Sequence, residues 1–180
     1  VHKVSQKIKV LVEDLLDTMY AQNGVGLAAP QIGENYRVFV IDASTGNEPL
    51  NPMVFINPKI IKKSGAVISH EGCLSFPEAF TDVKRYANVM VKAMDRNGRS
   101  FVLEAKDGTL LARAIQHEFD HLDGVLFIDH VINRFEAEEV LKKNNLPSLD
   151  VEKILDEPEL SKEIEVLLKE KVAKEAEKES

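Results

Sequence analysis

The chain has 180 residues, of which 44% are apolar and 29% charged, enough to bury one core without staples and too apolar for a disordered chain. Its formal net charge of −7 argues against a general nucleic-acid surface, because phosphate binding draws on clustered Lys and Arg. No apolar run reaches the roughly 20 residues of a membrane span and the first residues lack a signal-peptide pattern, so a cytoplasmic protein with no membrane partner is expected.

Val4, Ile8, Leu11, Val12, Leu15, Leu16 and Met19 recur at spacings of three and four, which predicts an amphipathic helix from about Val4 to Ala21. Asn23-Gly24 closes it, since both residues tolerate the left-handed conformation. Gly24 to Gln31 reads as a small apolar loop whose glycines let backbone come close to a neighbour. It is not a phosphate loop, for it follows a helix and lacks the third glycine and the lysine.

Arg37 to Asp42 reads as a strand and Ala43 to Pro52 as a surface loop. Met53 to Asn57 and Lys59 to Lys62 read as two strands meeting at a Pro bend, with a third at about Ala66 to Ser69. In His70 to Pro77, Gly72 opens the backbone and Pro77 limits extension, so Cys73, the single cysteine, is expected at a strand end or bulge. That is a place to present a thiolate. Ala87 to Asp95 and Ser100 to Ala105 form a hairpin around Asn97-Gly98. A helix starts near Thr109, a plausible cap, and stops before Gly124. Val125 to Ile128 reads as a short strand and Phe135 to Lys142 as a helical turn or two. Beyond Pro147 the chain is Lys- and Glu-rich, with a weak stripe of Ile164, Val166, Leu167, Leu168 and Val172, expected to be a solvated helix or frayed end rather than a partner-binding helix.

The chemistry concentrates in His117-Glu118-Phe119-Asp120-His121. On a helix the two histidines stand one turn apart on one face, where both can bind one metal ion, and Glu118 lies beside the position of a metal-bound water without ligating the metal. A catalytic site typically takes three protein ligands. The third is Cys73 or, if the site follows the zincin metallopeptidases, a downstream residue such as His130 or Glu136. Spacing alone leaves both open.

Three stretches read together go further. Gly-Val-Gly-Leu-Ala-Ala-Pro-Gln at 24–31, Glu-Gly-Cys-Leu-Ser at 71–75 and Gln-His-Glu-Phe-Asp-His at 116–121 resemble, in order, the three motifs of the peptide deformylases. The resemblance implies a single α+β domain in which antiparallel strands surround the metal-binding helix, with an N-terminal helix and a C-terminal helical tail. It implies a catalytic unit over residues 1–146 and a charged tail over 147–180. It also implies a hydrolase that removes the N-formyl group from the initiator methionine of nascent polypeptides near the ribosome. Carried over by position, Cys73, His117 and His121 resemble the metal ligands and Glu118 the general acid/base. Gln31 and the backbone N–H of Leu74 are similar to the donors to the formyl oxygen, and Val25, Gly26 and Gly72 to the substrate edge. Glu71 and Arg85 would form a buried ion pair bracing the strand that bears Cys73, and Asp120 would accept the outer N–H of a ligating histidine. One divalent ion is implied, Fe²⁺ first, with Zn²⁺, Ni²⁺ or Co²⁺ as substitutes. Three features depart from the pattern: the family's segment ahead of the first helix is not seen here, Arg113 stands where some relatives place an apolar residue, and the Lys/Glu tail exceeds that of the shorter family members. The rival readings are a zincin-like peptidase with Cys73 in the core and a non-catalytic metal-binding interaction module.

Overall fold

The structure, a computed structural model, describes residues 1–149 and 157–178. The elements in order are α1 (Gln6–Ala21), β1 (Gly26–Ala28), β2 (Val38–Ile41), β3 (Met53–Cys73), β4 (Phe76–Met94), β5 (Ser100–Ala105), α2 (Leu110–Leu122), α3 (Arg134–Lys143) and α4 (Pro158–Lys178). The five strands pair antiparallel in the order β1-β2-β3-β4-β5.

β2 explains the layering. All four of its residues are buried, yet strand side chains alternate between faces, so both faces must be covered. Val38 and Val40 pack with Ile8, Leu11, Leu15 and Met19 of α1, while Phe39 and Ile41 pack with Ala112 and Ile115 of α2. Each fully buried Leu, Ile or Met contributes roughly 1.5–3 kcal/mol relative to exposure. The sheet therefore runs between two helices, and α2 carries its histidines under the strands. Thr109 caps α2 by accepting from Ala112 N at 3.4 Å.

Several expected elements are corrected. The three short strands proposed between Met53 and Ser69 are one long strand, β3, because the Pro58 bend is absorbed as a register shift between Ile56 and Lys59, with Asn57 at φ 49°. β4 begins at Phe76, well before Ala87. Pro77 and Glu78 (φ 60°) lie within the irregularity where Gly72 pairs with Phe80 but Cys73 with Phe76. The 24–31 stretch, expected as a loop, holds β1 and a 3-10 turn at Ala29–Ile32. Val125 to Ile128 is not a strand. Asp129 Oδ2 accepts from Leu126 N at 2.8 Å and winds Phe127–His130 into a 3-10 turn, which buries Phe127 and Ile128 against Phe76, Val83 and the α3 residues Ala137 and Leu141.

The tail forms α4, which lies on β3 and β4 with Leu160 and Ile164 buried. Its start is tied by Lys63 Nζ to Glu157 at 3.2 Å and by Lys84 Nζ to Ser161 at 3.1 Å. Residues 150–156 and 179–180 of the tail lie outside the described residues. Among the described residues no helix is long and apolar enough to cross a membrane.

Candidate metal centre

The β3–β4 turn places Cys73 at the end of β3, followed by the turn residues Leu74 and Ser75. Its sulfur meets α2 from above. Cys73 Sγ lies 3.2 Å from His121 Nε2, and the ligand atoms of Cys73, His117 and His121 all lie within 4.8 Å of one another. The two imidazole rings, one helical turn apart, have centroids 5.0 Å apart and cross at 78°, edge to face rather than stacked.

Each ligand has a reason to hold its place. His117 Nδ1 donates to Glu71 Oε2 at 3.0 Å, which leaves Nε2 for the centre. Glu71 is held by Arg85, whose Nε and Nη2 reach its two oxygens at 3.1 Å and 2.9 Å. Burial works against the charge on Glu71, but Arg85 and His117 hold its carboxyl well below the usual carboxylate range. Arg85, only 2% exposed, also donates through Nη1 to Asp120 Oδ2 at 2.5 Å. Asp120 thus serves Arg85 and His130, and the outer N–H of His117 goes to Glu71 in its place. Burial would push the Cys73 thiol up, but hydrogen bonds from His117 and His121 bring it down to about 5. Burial works against a charge on His117, but its hydrogen bonds to Cys73 and Glu71 raise it to about 10, so the metal-free cluster pairs a thiolate with an imidazolium. With that proton displaced it offers a thiolate and two imidazoles, a donor set that fits one divalent cation.

Glu118 stands beside the cluster, 5% exposed. Among the described residues its Oε2 is buried without a hydrogen-bond partner, and burial raises its carboxyl to about 7 against the lowering pull of the histidines. A Cβ on Gly26 would come within 2.5 Å of Glu118 Oε1, so β1 can approach this carboxylate only because position 26 is glycine. A Cβ on Gly72 would meet the Phe80 ring at 2.6 Å.

A cavity of about 450 Å³ opens over these groups, with Val25, Gly26, Gln31, Leu74, Phe80 and Arg113 among its lining. Gln31 Nε2 points at Cys73 Sγ from 3.6 Å and donates to Ser75 Oγ at 3.1 Å, while its Oε1 accepts from Ala28 N at 2.8 Å. The Arg113 guanidinium is turned back to the wall, donating to Gly108 O and to Ser69 Oγ at 3.0 Å and 2.8 Å. The downstream ligands of the zincin reading are not brought in. His130 turns its two nitrogens to Asp120 and Glu157, and Glu136 is exposed on α3.

The role of Gln116 escaped the reading of the sequence, and His130 was considered there only as a possible metal ligand. The Gln116 amide accepts from Tyr86 N at 3.0 Å and donates to Tyr86 O at 2.8 Å, mimicking a strand partner and fixing α2 to β4. Its position next to His117 in the 116–121 motif was the available signal. The pairing of His130 with Asp120 and Glu157 had no such signal, because these partners come from separate segments.

The sequence matches the family described as polypeptide deformylase over residues 1–137. It is 55% identical over 130 residues to peptide deformylase 1 of Clostridium perfringens, covering 72% of this chain and 85% of that one. With the peptide deformylase of Pseudoalteromonas translucida it shares 48% over 128 residues, 71% and 74% of the two chains. The fold is similar to the crystal structure of a peptide deformylase from Synechococcus elongatus, with a TM-score of 0.77 at 42% identity over 87% of this chain and 83% of that one. A cysteine and two histidines placed to hold a metal, together with these likenesses in sequence and fold, lead to one conclusion: the chain belongs to the polypeptide deformylase family.

Proposed function

We propose that this enzyme hydrolyses the formyl amide at the N-terminal methionine of nascent polypeptides, releasing formate, with Cys73, His117 and His121 holding one divalent ion. The observation that carries this reading is Glu118, a buried carboxyl group with one oxygen unpartnered among the described residues, beside Cys73, His117 and His121. A non-catalytic metal module has no use for such a group. When bound, the ion supplies Lewis acidity and lowers the pKa of water.

The remaining work falls to the chain. Glu118 takes the proton of the attacking water, its carboxyl held near neutrality by burial. As the carbonyl carbon becomes tetrahedral, charge develops on the formyl oxygen. The Gln31 amide and the Leu74 N–H are the donors for it, at roughly 3–4 kcal/mol for a well-placed donor. Glu118 then gives its proton to the leaving nitrogen, the C–N bond breaks, and formate and a free amine depart. β1 is an edge strand of the sheet, so Val25 and Gly26 offer backbone to an extended substrate in the manner of an added strand, with Gly72 opposite. Glu71 and Arg85 orient His117, and Asp120 holds Arg85. Residues 1–146 form the catalytic unit. The substrate is met in the cytoplasm, near the ribosome, where formylated chains emerge.

The test is formate release from a formyl-Met peptide set against cleavage of an internal peptide bond. Formate without internal cleavage supports the reading; internal cleavage alone supports the peptidase. Thiolate and imidazole ligands suit Fe²⁺ and Zn²⁺ alike, and we assign Fe²⁺. Air then attacks the ion or the sulfur, so iron-loaded protein is expected to lose activity faster than the nickel- or zinc-loaded form. Equal decay contradicts the assignment.

A further inference from the structure

The charged groups behind the metal centre do not end at Arg85. Asp120 Oδ2, already bound to Arg85, accepts from His130 Nε2 at 2.9 Å, and His130 Nδ1 lies 3.5 Å from Glu157 Oε2. That last contact is an ion pair rather than an aligned hydrogen bond. His130 is 6% exposed. A carboxylate faces each ring nitrogen, a setting that favours the protonated ring. The other oxygen of Glu157 binds Lys63 at 3.2 Å. From Glu157 to Glu71 the side chains alternate in sign, each touching the next, and the last receives the outer N–H of His117.

Glu157 stands immediately before Pro158, the first residue of α4, and beyond the matched residues 1–137. The link therefore joins a segment outside the family match to a ligand inside it. Arg85 divides one guanidinium between two carboxylates, so the angle at which it meets Glu71 depends on where Asp120 is held. Asp120 is held by His130, and His130 by Glu157.

We propose that Glu157 is a positioning residue for the metal centre: docked with α4 it fixes His130 and Asp120, and through Arg85 and Glu71 the ring of His117, which tightens metal binding. The proposal rests on the metal-site reading above. Immediate hydrogen-bond partners of metal ligands typically matter 10–100-fold for affinity; a partner further out is expected to matter about 3–10-fold by the same reasoning.

The experiment measures the Co²⁺ dissociation constant by chelator competition, together with the absorption spectrum of the Co²⁺ protein, for the full chain and its variants. Glu157→Gln is expected to weaken Co²⁺ about 3–10-fold and to alter the spectrum, while Glu165→Gln, exposed on the same helix, leaves both unchanged. His130→Phe is expected to weaken binding at least as much. The double variant should bind no more weakly than His130→Phe alone, because the two residues act through one link. In the wild type, coupling is reciprocal, so Co²⁺ is expected to slow amide hydrogen exchange in the first turns of α4. Unchanged affinity and spectrum in Glu157→Gln, multiplicative effects in the double variant, or α4 exchange indifferent to Co²⁺ would each overturn the proposal. Should the wild type fail to bind Co²⁺ through Cys73, the metal-site reading itself falls; wild-type binding with an indifferent Glu157 removes only the coupling.

Discussion

The two ends of the long β3–β4 hairpin are held together by different physics. Where β3 begins, Val54 and Ile56 join α1 and β2 in a core built from apolar side chains. Where β3 turns into β4, the buried residues include Glu71, Arg85, His117, Glu118 and His121. The first end gains from area removed from water and is indifferent to which atoms touch. The second consists of groups that are costly to bury unless each has its partner. Chemistry resides at the second end, where low exposure and fixed partners set the protonation of each group. Substitutions at the two ends should therefore fail in different ways.

The largest loss of stability is expected from Arg85→Met. It leaves Glu71 and Asp120 without their shared cation and should destabilise the fold by roughly 3–5 kcal/mol, with metal affinity reduced about 10–100-fold through Glu71 and His117. Denaturant unfolding and metal titration measure the two effects. At the apolar end, Leu15→Ala opens a cavity under α1 and is expected to cost about 2–5 kcal/mol with metal affinity unchanged. A fall in affinity comparable to that of Arg85→Met would erase the distinction between the two ends.

A smaller effect distinguishes α4, which combines both kinds of contact. Glu157 is held low, to about 2, by its contact with His130 despite partial burial, with Lys63 adding to the shift. Burial works against the His130 imidazolium, but Asp120 and Glu157 raise it above its ordinary 6.5. The Glu157 contribution is complete above its ordinary 4.5 and is lost as pH falls through about 2. The His130 contribution is complete below 6.5 and is lost as pH rises through its raised value. Docking of α4 in the metal-free protein is thus expected to be firmest between about pH 4.5 and 6.5. Amide exchange in α4, corrected for intrinsic rates, measures it. Protection that increases steadily from pH 6 to 9 would contradict the pairing.

The same contrast explains what could be read from the sequence. Helix α1 was legible because Ile8, Leu11, Val12, Leu15, Leu16 and Met19 repeat with the helical period and all are buried. The hairpin at Asn97-Gly98 was legible from its turn, where Gly98 takes φ 79°. The start of β4 was not, since Pro77 and Glu78 sit inside a bulge that only the pairing of Gly72 with Phe80 reveals. Val125 to Ile128 carried apolar character without direction, and a single side-chain bond from Asp129 decided it. α4 was underestimated because two anchors, Leu160 and Ile164, suffice to seat it once a sheet face is present. At the site, residue types and order identified the cluster, whereas the partner of His117 could not be assigned from spacing. Glu71 and Asp120 were both available, and register on β3 chose Glu71.

The central claim is that Glu118 moves protons while Cys73, His117 and His121 hold the ion. Replacing Glu118 with Gln preserves shape and removes basicity, so the direct test is metal content and formate release from a formyl-Met peptide, measured together on the same preparation. The account predicts full metal occupancy with turnover reduced on the order of 10²–10⁴-fold, the range for a lost general base. Cys73→Ala, by contrast, should lose the metal first. Near-normal turnover in Glu118→Gln, or metal loss matching that of Cys73→Ala, would contradict the assigned roles.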